Sequence, residues 1–149
     1  MAYKGKYKPQ RPEKYLGDPT KIIYRSLLER RFMVYCDNNP NVIGWSSEEV
    51  VVPYRSPIDN RVHRYFVDFF IRVKDKQGNV RGILIEVKPF SQTSPPKAEK
   101  KYTDKGRLSR RYLNELKTWG VNEAKWKAAT EYCEDRKWEF KILTEKELK

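Results

Sequence analysis

Two apolar segments near the middle of the chain constrain the fold most, because their residues alternate as they do in β-strands. Along Arg64–Lys74, one predicted face takes Tyr65, Val67, Phe69, Ile71 and Val73. Gly82–Lys88 alternates in the same way, and Asp75–Gly78 between the two segments has the composition of a hairpin turn. The sequence therefore predicts two adjacent strands inside a sheet.

The remaining pattern predicts helices around that sheet. The other predicted elements are a helix from Asp18 to about Asp37, a strand over Glu49–Tyr54, helices over Leu108–Trp119 and from Asn122 to about Arg136, and a strand over Trp138–Leu143. This order, α-β-β-β-α-α-β, is typical of an α/β fold with a mixed sheet flanked by helices. A chain of 149 residues has the length of one domain.

The first residues have a different composition. Residues 1–17 are basic, are interrupted by Pro and Gly, and show no periodicity. They are interpreted as a flexible basic arm that becomes ordered on a partner. Residues 18–149 are then expected to form the single folded domain.

Positive charge is concentrated in two segments. The formal net charge is +12, of which residues 1–31 carry +6 and residues 97–117 carry +5. Clustered Lys and Arg favour a polyanionic partner such as nucleic acid over simple solubility. No apolar run approaches the ~18 residues of a membrane span. Neither basic segment carries a clean apolar helical face, so no membrane partner is expected.

Each of the two central strands carries an acidic residue among apolar neighbours, Asp68 in YFVDFFI and Glu86 in ILIEVKP. A carboxylate that faces a core is costly unless it is paired or bound to a metal. The short hairpin places Asp68 and Glu86 side by side, where their charges repel and require a cation. Oxygen ligands of this kind suit Mg²⁺, with Mn²⁺ as the alternative, and the Val87 carbonyl would add a ligand.

Two further side chains complete the predicted site. Lys88 lies two residues beyond Glu86 and so projects from the same face, where it would hold a metal-bound water or stabilise charge on a phosphate. Glu29, at the margin of the first helix's apolar stripe, would reach the same site. From these residues alone two interpretations stay open: metal-assisted phosphodiester hydrolysis, and a salt bridge on a half-exposed sheet face.

Asp68 followed by Glu86-Val87-Lys88, with Glu29 on the preceding helix, resembles the PD-(D/E)xK nuclease superfamily. Nearly the whole chain resembles more closely the head completion nucleases of large contractile-tailed phages, and its layout is similar to that of TnsA-like endonucleases. The segments that carry this resemblance are MAYKGKY, GDPTKIIYRSLLE, YFVDFFI, IEVKP, VNEAKWKAA and FKILTE. One departure is that Val67, not Pro, precedes Asp68.

The resemblance implies a restriction-endonuclease-like fold with Glu29, Asp68 and Glu86 as acidic site members and Lys88 as the catalytic lysine. It also implies that the region after the Glu86 strand flanks a DNA cleft. The expected contacts with the DNA backbone are Arg25, Lys97, Lys100, Lys101, Arg107, Arg110 and Arg111. A solvated helix face at Arg25 and a basic loop after residue 96 are the alternatives.

The function expected from the resemblance is a Mg²⁺-dependent DNA endonuclease that acts in phage head completion after DNA packaging. Its expected partners are double-stranded DNA and head, portal or connector proteins. Its expected location is the host cytoplasm during assembly, with association with the virion as a further expectation. Two alternatives remain: a structural virion protein that keeps the fold without cutting, and a host-type nuclease such as a junction resolvase. The sequence predicts no oligomeric state.

Overall fold

The computed structural model describes residues 4–97 and 106–148. In chain order its strands are β1 (Gly5–Lys6), β2 (Ile23–Tyr24), β3 (Val42–Ser47), β4 (Val51–Arg55), β5 (Val62–Phe66), β6 (Phe69–Lys74), β7 (Val80–Val87) and β8 (Glu139–Leu143). Its α-helices are α1 (Leu27–Asn38) and α2 (Arg110–Arg136), and short 3-10 turns cover Pro12–Lys14 and Phe90–Gln92. Within these ranges neither helix has the length and apolar character needed to cross a membrane.

A four-stranded mixed sheet in the order β3-β6-β7-β8 forms the centre of the molecule. Its strands pair antiparallel except for β7 and β8, which run parallel. The core against one face contains Phe32, Trp45 and Phe69, and the core against the other contains Leu84 and Ala129. Helix α1 supplies the first core, while α2 and the β4–β5 hairpin supply the second. The predicted mixed sheet flanked by helices is confirmed.

The β6–β7 hairpin forms as predicted, because both strands alternate and Gly78 (φ 86°) accepts the left-handed conformation that the turn requires. Strand β3 was not predicted. It contains Gly44 and ends in two serines, which weakens its strand pattern, and its pairing with β6 stabilises it.

The prediction of one continuous strand over Arg64–Lys74 is wrong, because the chain breaks at Asp68. Strand β5 pairs with β4, whereas β6 joins the central sheet. Tyr65 and Val67 belong to the core beneath α2, while Phe69 and Ile71 belong to the core beneath α1. The break therefore shifts the alternation by one residue and reverses the face on which Tyr65 lies.

The two helix starts predicted at the N-caps Asp18 and Asn122 are also wrong. Asp18 does not start a helix, since its side chain accepts hydrogen bonds from the backbone N–H and the hydroxyl of Thr20. Helix α1 starts instead at Leu27, where the Ser26 hydroxyl accepts the Glu29 N–H at 3.1 Å. Helix α2 runs through Asn122 without interruption, so the two predicted C-terminal helices are one.

Residues 4–17, which the sequence predicts to be a flexible arm, pack against the domain instead. Tyr7 and Tyr15 are buried, and the Tyr15 ring meets Trp45 edge-on with 4.7 Å between ring centroids. The buried carboxylate of Asp37 accepts hydrogen bonds from the Tyr7 hydroxyl and from the backbone N–H groups of Gln10 and Arg11, at 2.7–2.9 Å. Aromatic burial and these bonds outweigh the basic, Pro-containing composition.

Candidate active site

The two strand carboxylates meet at one end of the central sheet. In the β6–β7 register Phe69 pairs with Ile85 and Phe70 with Leu84, so the same register continued by one step places Asp68 opposite Glu86. The Val87 N–H donates to Asp68 Oδ2 at 2.8 Å, which fixes this carboxylate against the end of β7. The hairpin thus brings the two acids together as the sequence predicted.

The Glu86 side chain is almost completely enclosed, with only 6% of it exposed, and two neighbours hold its two oxygens. The Tyr65 hydroxyl donates to Oε1 at 2.7 Å, and Lys88 Nζ lies 3.4 Å from Oε2. Lys88 keeps 24% of its side chain exposed, so its ammonium group faces both Glu86 and solvent. Tyr65 was not predicted as a site residue, because strict alternation along Arg64–Lys74 places its side chain on the face opposite Asp68.

Glu29 stands at the first turn of α1, where local backbone and side-chain groups orient it. The Arg25 N–H and the Ser26 hydroxyl each donate to its carboxylate at 3.4 Å. Burial raises the pKa of the Glu29 carboxyl above its usual value, and the negative charge of Glu48 raises it further, while the Arg25 N–H opposes both. Glu29 is half-buried, and carboxyl groups with a raised pKa are frequent at functional sites.

The pKa of Asp68 is strongly perturbed by its surroundings. Burial raises its pKa well above the usual range, and the charge of Glu86 raises it further. The Val87 N–H counteracts this, whereas the charge of Glu29 adds to it. Three acidic side chains therefore interact electrostatically around Asp68, and a positive charge placed among them would relieve the repulsion.

The protein atoms of this cluster supply only some of the ligands that a hard divalent cation takes. Asp68 and Glu86 supply adjacent carboxylate oxygens, the ligand type that Mg²⁺ and Mn²⁺ take. Across residues 4–97 and 106–148, however, no group of three Asp, Glu, His or Cys side chains is arranged to hold a metal ion. A cation at this pair would complete its shell with the Val87 carbonyl and water, which is usual for Mg²⁺.

Glu48, at the end of β3, is a further acidic neighbour that sequence analysis missed. Its N–H donates to the Asp68 carbonyl at 3.1 Å, and its carboxylate forms an ion pair with Arg25. Its φ of 55° is uncommon for a residue other than glycine and is found mainly where surrounding structure enforces it. Arg25 therefore lies beside the acidic cluster as predicted. It is held there by Glu48, which directly follows the unpredicted strand β3.

The other predicted DNA contacts are only partly described. Lys97, Arg107, Arg110 and Arg111 are exposed, and Arg111 pairs with Glu115 one turn along α2 at 3.0 Å. Lys100 and Lys101 lie outside the described residues. The binding role assigned to all six basic residues stays a prediction.

Comparison with known proteins shows two similarities. A family model described as TnsA-like endonuclease N terminal matches residues 39–145, a range that includes Asp68, Glu86 and Lys88. The chain is also 42% identical to the head completion nuclease of Enterobacteria phage T4. That alignment spans 149 residues, which is 100% of this chain and 95% of the phage T4 protein.

Proposed function

The chain belongs to the TnsA-like endonuclease family, whose fold is restriction-endonuclease-like, and on that premise we propose that it is a Mg²⁺-dependent DNA endonuclease of phage head completion. The observation that carries the proposal is the adjacent pair of Asp68 and the enclosed Glu86, with Lys88 beside it. The full-length similarity to a head completion nuclease supports the biological setting.

In this proposal Asp68 and Glu86 hold the cation, with the Val87 carbonyl as a further ligand. A divalent cation at this position would supply Lewis acidity and lower the pKa of a bound water. Lys88 would donate from Nζ toward the charge that develops on the phosphate, and its link to Glu86 keeps it aimed at the site. Tyr65 orients Glu86, and Glu29 assists from α1 by positioning water.

The basic surface would hold the DNA backbone without reading sequence, since phosphate contacts position a duplex and base contacts specify it. Arg25, Lys97, Lys100, Lys101, Arg107, Arg110 and Arg111 are the proposed contacts. Activity after packaging would place the protein in the host cytoplasm during assembly, in contact with a portal or connector protein and, as a further proposal, retained in the virion.

Cleavage of a covalently closed plasmid tests this proposal, because a closed circle offers no ends to an exonuclease. We expect the purified protein to convert it to open and linear forms with Mg²⁺ or Mn²⁺ and to stop when chelator is added. Asp68→Asn and Lys88→Ala should abolish cutting and keep salt-sensitive DNA binding, while Glu115→Gln on the α2 surface should cut normally. Metal-supplied protein that binds DNA and leaves the circle intact would favour the structural virion role instead.

A further inference from the structure

Two phenylalanine rings beside the acidic cluster are exposed to solvent. Phe66 lies two residues before Asp68 and is 45% exposed, and Phe90 lies two residues after Lys88 and is 49% exposed. Because β6 and β7 are antiparallel, the start of β6 and the end of β7 lie at the same end of the sheet. Both rings therefore stand at the end that carries the candidate active site.

Each ring is accompanied by a cation. The Arg64 guanidinium carbon lies 5.7 Å from the centroid of the Phe66 ring, and Lys146 Nζ lies 3.4 Å from the centroid of the Phe90 ring. A hydrogen bond fixes the backbone of Phe90, because its N–H donates to Glu145 Oε1. An aromatic face beside a cation is the combination with which proteins hold a nucleobase and its phosphate.

The surface around Phe66 has the charge expected for a DNA partner. In the β4–β5 register Val51, Pro53 and Arg55 pair with Phe66, Arg64 and Val62. These outward positions combine apolar side chains with two arginines and include no carboxylate. The face is therefore suited to a polyanion that also presents apolar rings, which describes the bases and phosphates of a nucleic acid.

We propose that Phe66 and Phe90 stack against unpaired bases next to the scissile phosphate, so that the preferred substrate is DNA in which a single-stranded segment adjoins a duplex. Inside a fully paired duplex both faces of each base are covered by neighbouring base pairs, so only a terminal base pair offers these rings a free face. The inference rests on the proposed nuclease function and adds a preference to it: paired duplex is cut, and DNA with a single-stranded tail or gap is bound more tightly.

Fluorescence anisotropy with chelator present tests the inference, using a blunt duplex and the same duplex with a short single-stranded tail. The wild type should bind the tailed DNA about fivefold or more tightly than the blunt DNA, the size of one stacked base. Phe66→Ala and Phe90→Ala should each lose about fivefold on the tailed DNA and little on the blunt DNA. Phe66→Tyr and Phe90→Tyr should keep the preference, as should Val80→Ala, whose exposed side chain lies at the opposite end of the sheet.

Equal affinity of the wild type for both DNAs, or alanine variants that weaken both equally, would overturn the inference. Plasmid cleavage separates this outcome from failure of the nuclease function. Cutting by a protein whose binding does not depend on the two rings overturns only the stacking. Ring-dependent binding by a protein that cuts no DNA supports the stacking and overturns only the nuclease.

Discussion

A phenolic hydroxyl at Tyr65 sets the position of the almost fully enclosed Glu86 carboxylate. It donates to Glu86 Oε1, which leaves Oε2 directed toward Lys88. Burial raises the pKa of Tyr65 above its usual value, and the charge of Glu86 adds to this, so the hydroxyl stays a proton donor at any working pH. Tyr65 thus acts on the site through Glu86, as partners beyond the first metal ligands commonly do.

Tyr65→Phe should therefore reduce metal-dependent cleavage by about 10–100-fold while the fold is kept. The loss should appear together with weaker metal affinity, because Glu86 loses its fixed orientation. Initial nicking rates as a function of Mg²⁺ concentration measure both effects. Tyr35→Phe, at an exposed position on α1, is the matched control, and a Tyr65→Phe rate within about twofold of wild type would refute the role.

Of the site residues, Glu29 was predicted from the apolar stripe of α1, and the others that were predicted depend on the β6–β7 hairpin. Asp68, Glu86 and Lys88 come together because alternation and a short turn set their register. Tyr65 and Glu48 could not be predicted in this way. The first depends on the strand break at Asp68, which no Gly or Pro marks, and the second depends on the weakly patterned β3.

Among the elements, those whose signals are local were predicted and those set by distant contacts were not. The β6–β7 hairpin, β4, β8 and a helix ending near residue 38 follow from periodicity and turn residues. The start of α1 does not, because Ile23–Tyr24 pairs with Gly5–Lys6 and removes residues 18–24 from the helix. The mixed α/β class expected from alternation and helical periodicity is confirmed by the structure, and the restriction-endonuclease-like fold that the resemblance implied is confirmed by the family match.

The buried carboxylate of Asp37 joins the N-terminal segment to α1, so Asp37→Asn should lower the free energy of unfolding. Burial raises the pKa of Asp37, but the hydrogen bonds from Gln10, Tyr7 and Arg11 outweigh this and hold it below the usual value. Hydrogen bonds to a charged group contribute about 1.5–3 kcal/mol, so we expect a loss of about 2 kcal/mol at pH 7. Urea unfolding of the variant beside Asp135→Asn, at an exposed position on α2, measures it.

The pH dependence of that difference has a definite sign. A carboxyl whose pKa is lower in the folded state than in the unfolded state stabilises the fold above the unfolded value, and this contribution is lost as pH falls toward the folded value. The gap between wild type and Asp37→Asn should therefore shrink as pH drops below about 4. A gap that stays constant or widens there would contradict the assignment.

At the scale of the whole molecule, the composition of the N-terminal segment predicts a flexible basic arm, and the structure differs from that prediction. The basic N-terminal segment, as far as residues 4–17 describe it, is part of the folded domain through Tyr7 and Tyr15. Two of its cations, Arg11 and Lys14, donate to backbone carbonyls at the C-terminal end of α1. A net charge of +12 on such a body favours DNA binding governed by counterion release.

DNA affinity should therefore fall steeply with salt, and the slope should depend on where a charge lies. The double variant Lys97→Ala with Arg110→Ala should reduce the slope of log affinity against log salt by about 2, close to 0.9 per lost phosphate contact. Lys74→Ala with Lys76→Ala removes the same charge at the far end of the β6–β7 hairpin and should change the slope less. Equal slopes for both double variants would show that net charge, and not position, governs binding.

The central claim is that Asp68 and Glu86 together hold the divalent cation, and Mn²⁺ binding followed by the paramagnetic resonance of free Mn²⁺ tests it most directly. The wild type and Asp135→Asn should take up Mn²⁺ at a site from which Mg²⁺ displaces it, and Asp68→Asn should lose that uptake. Unchanged Mn²⁺ uptake by Asp68→Asn would contradict the claim.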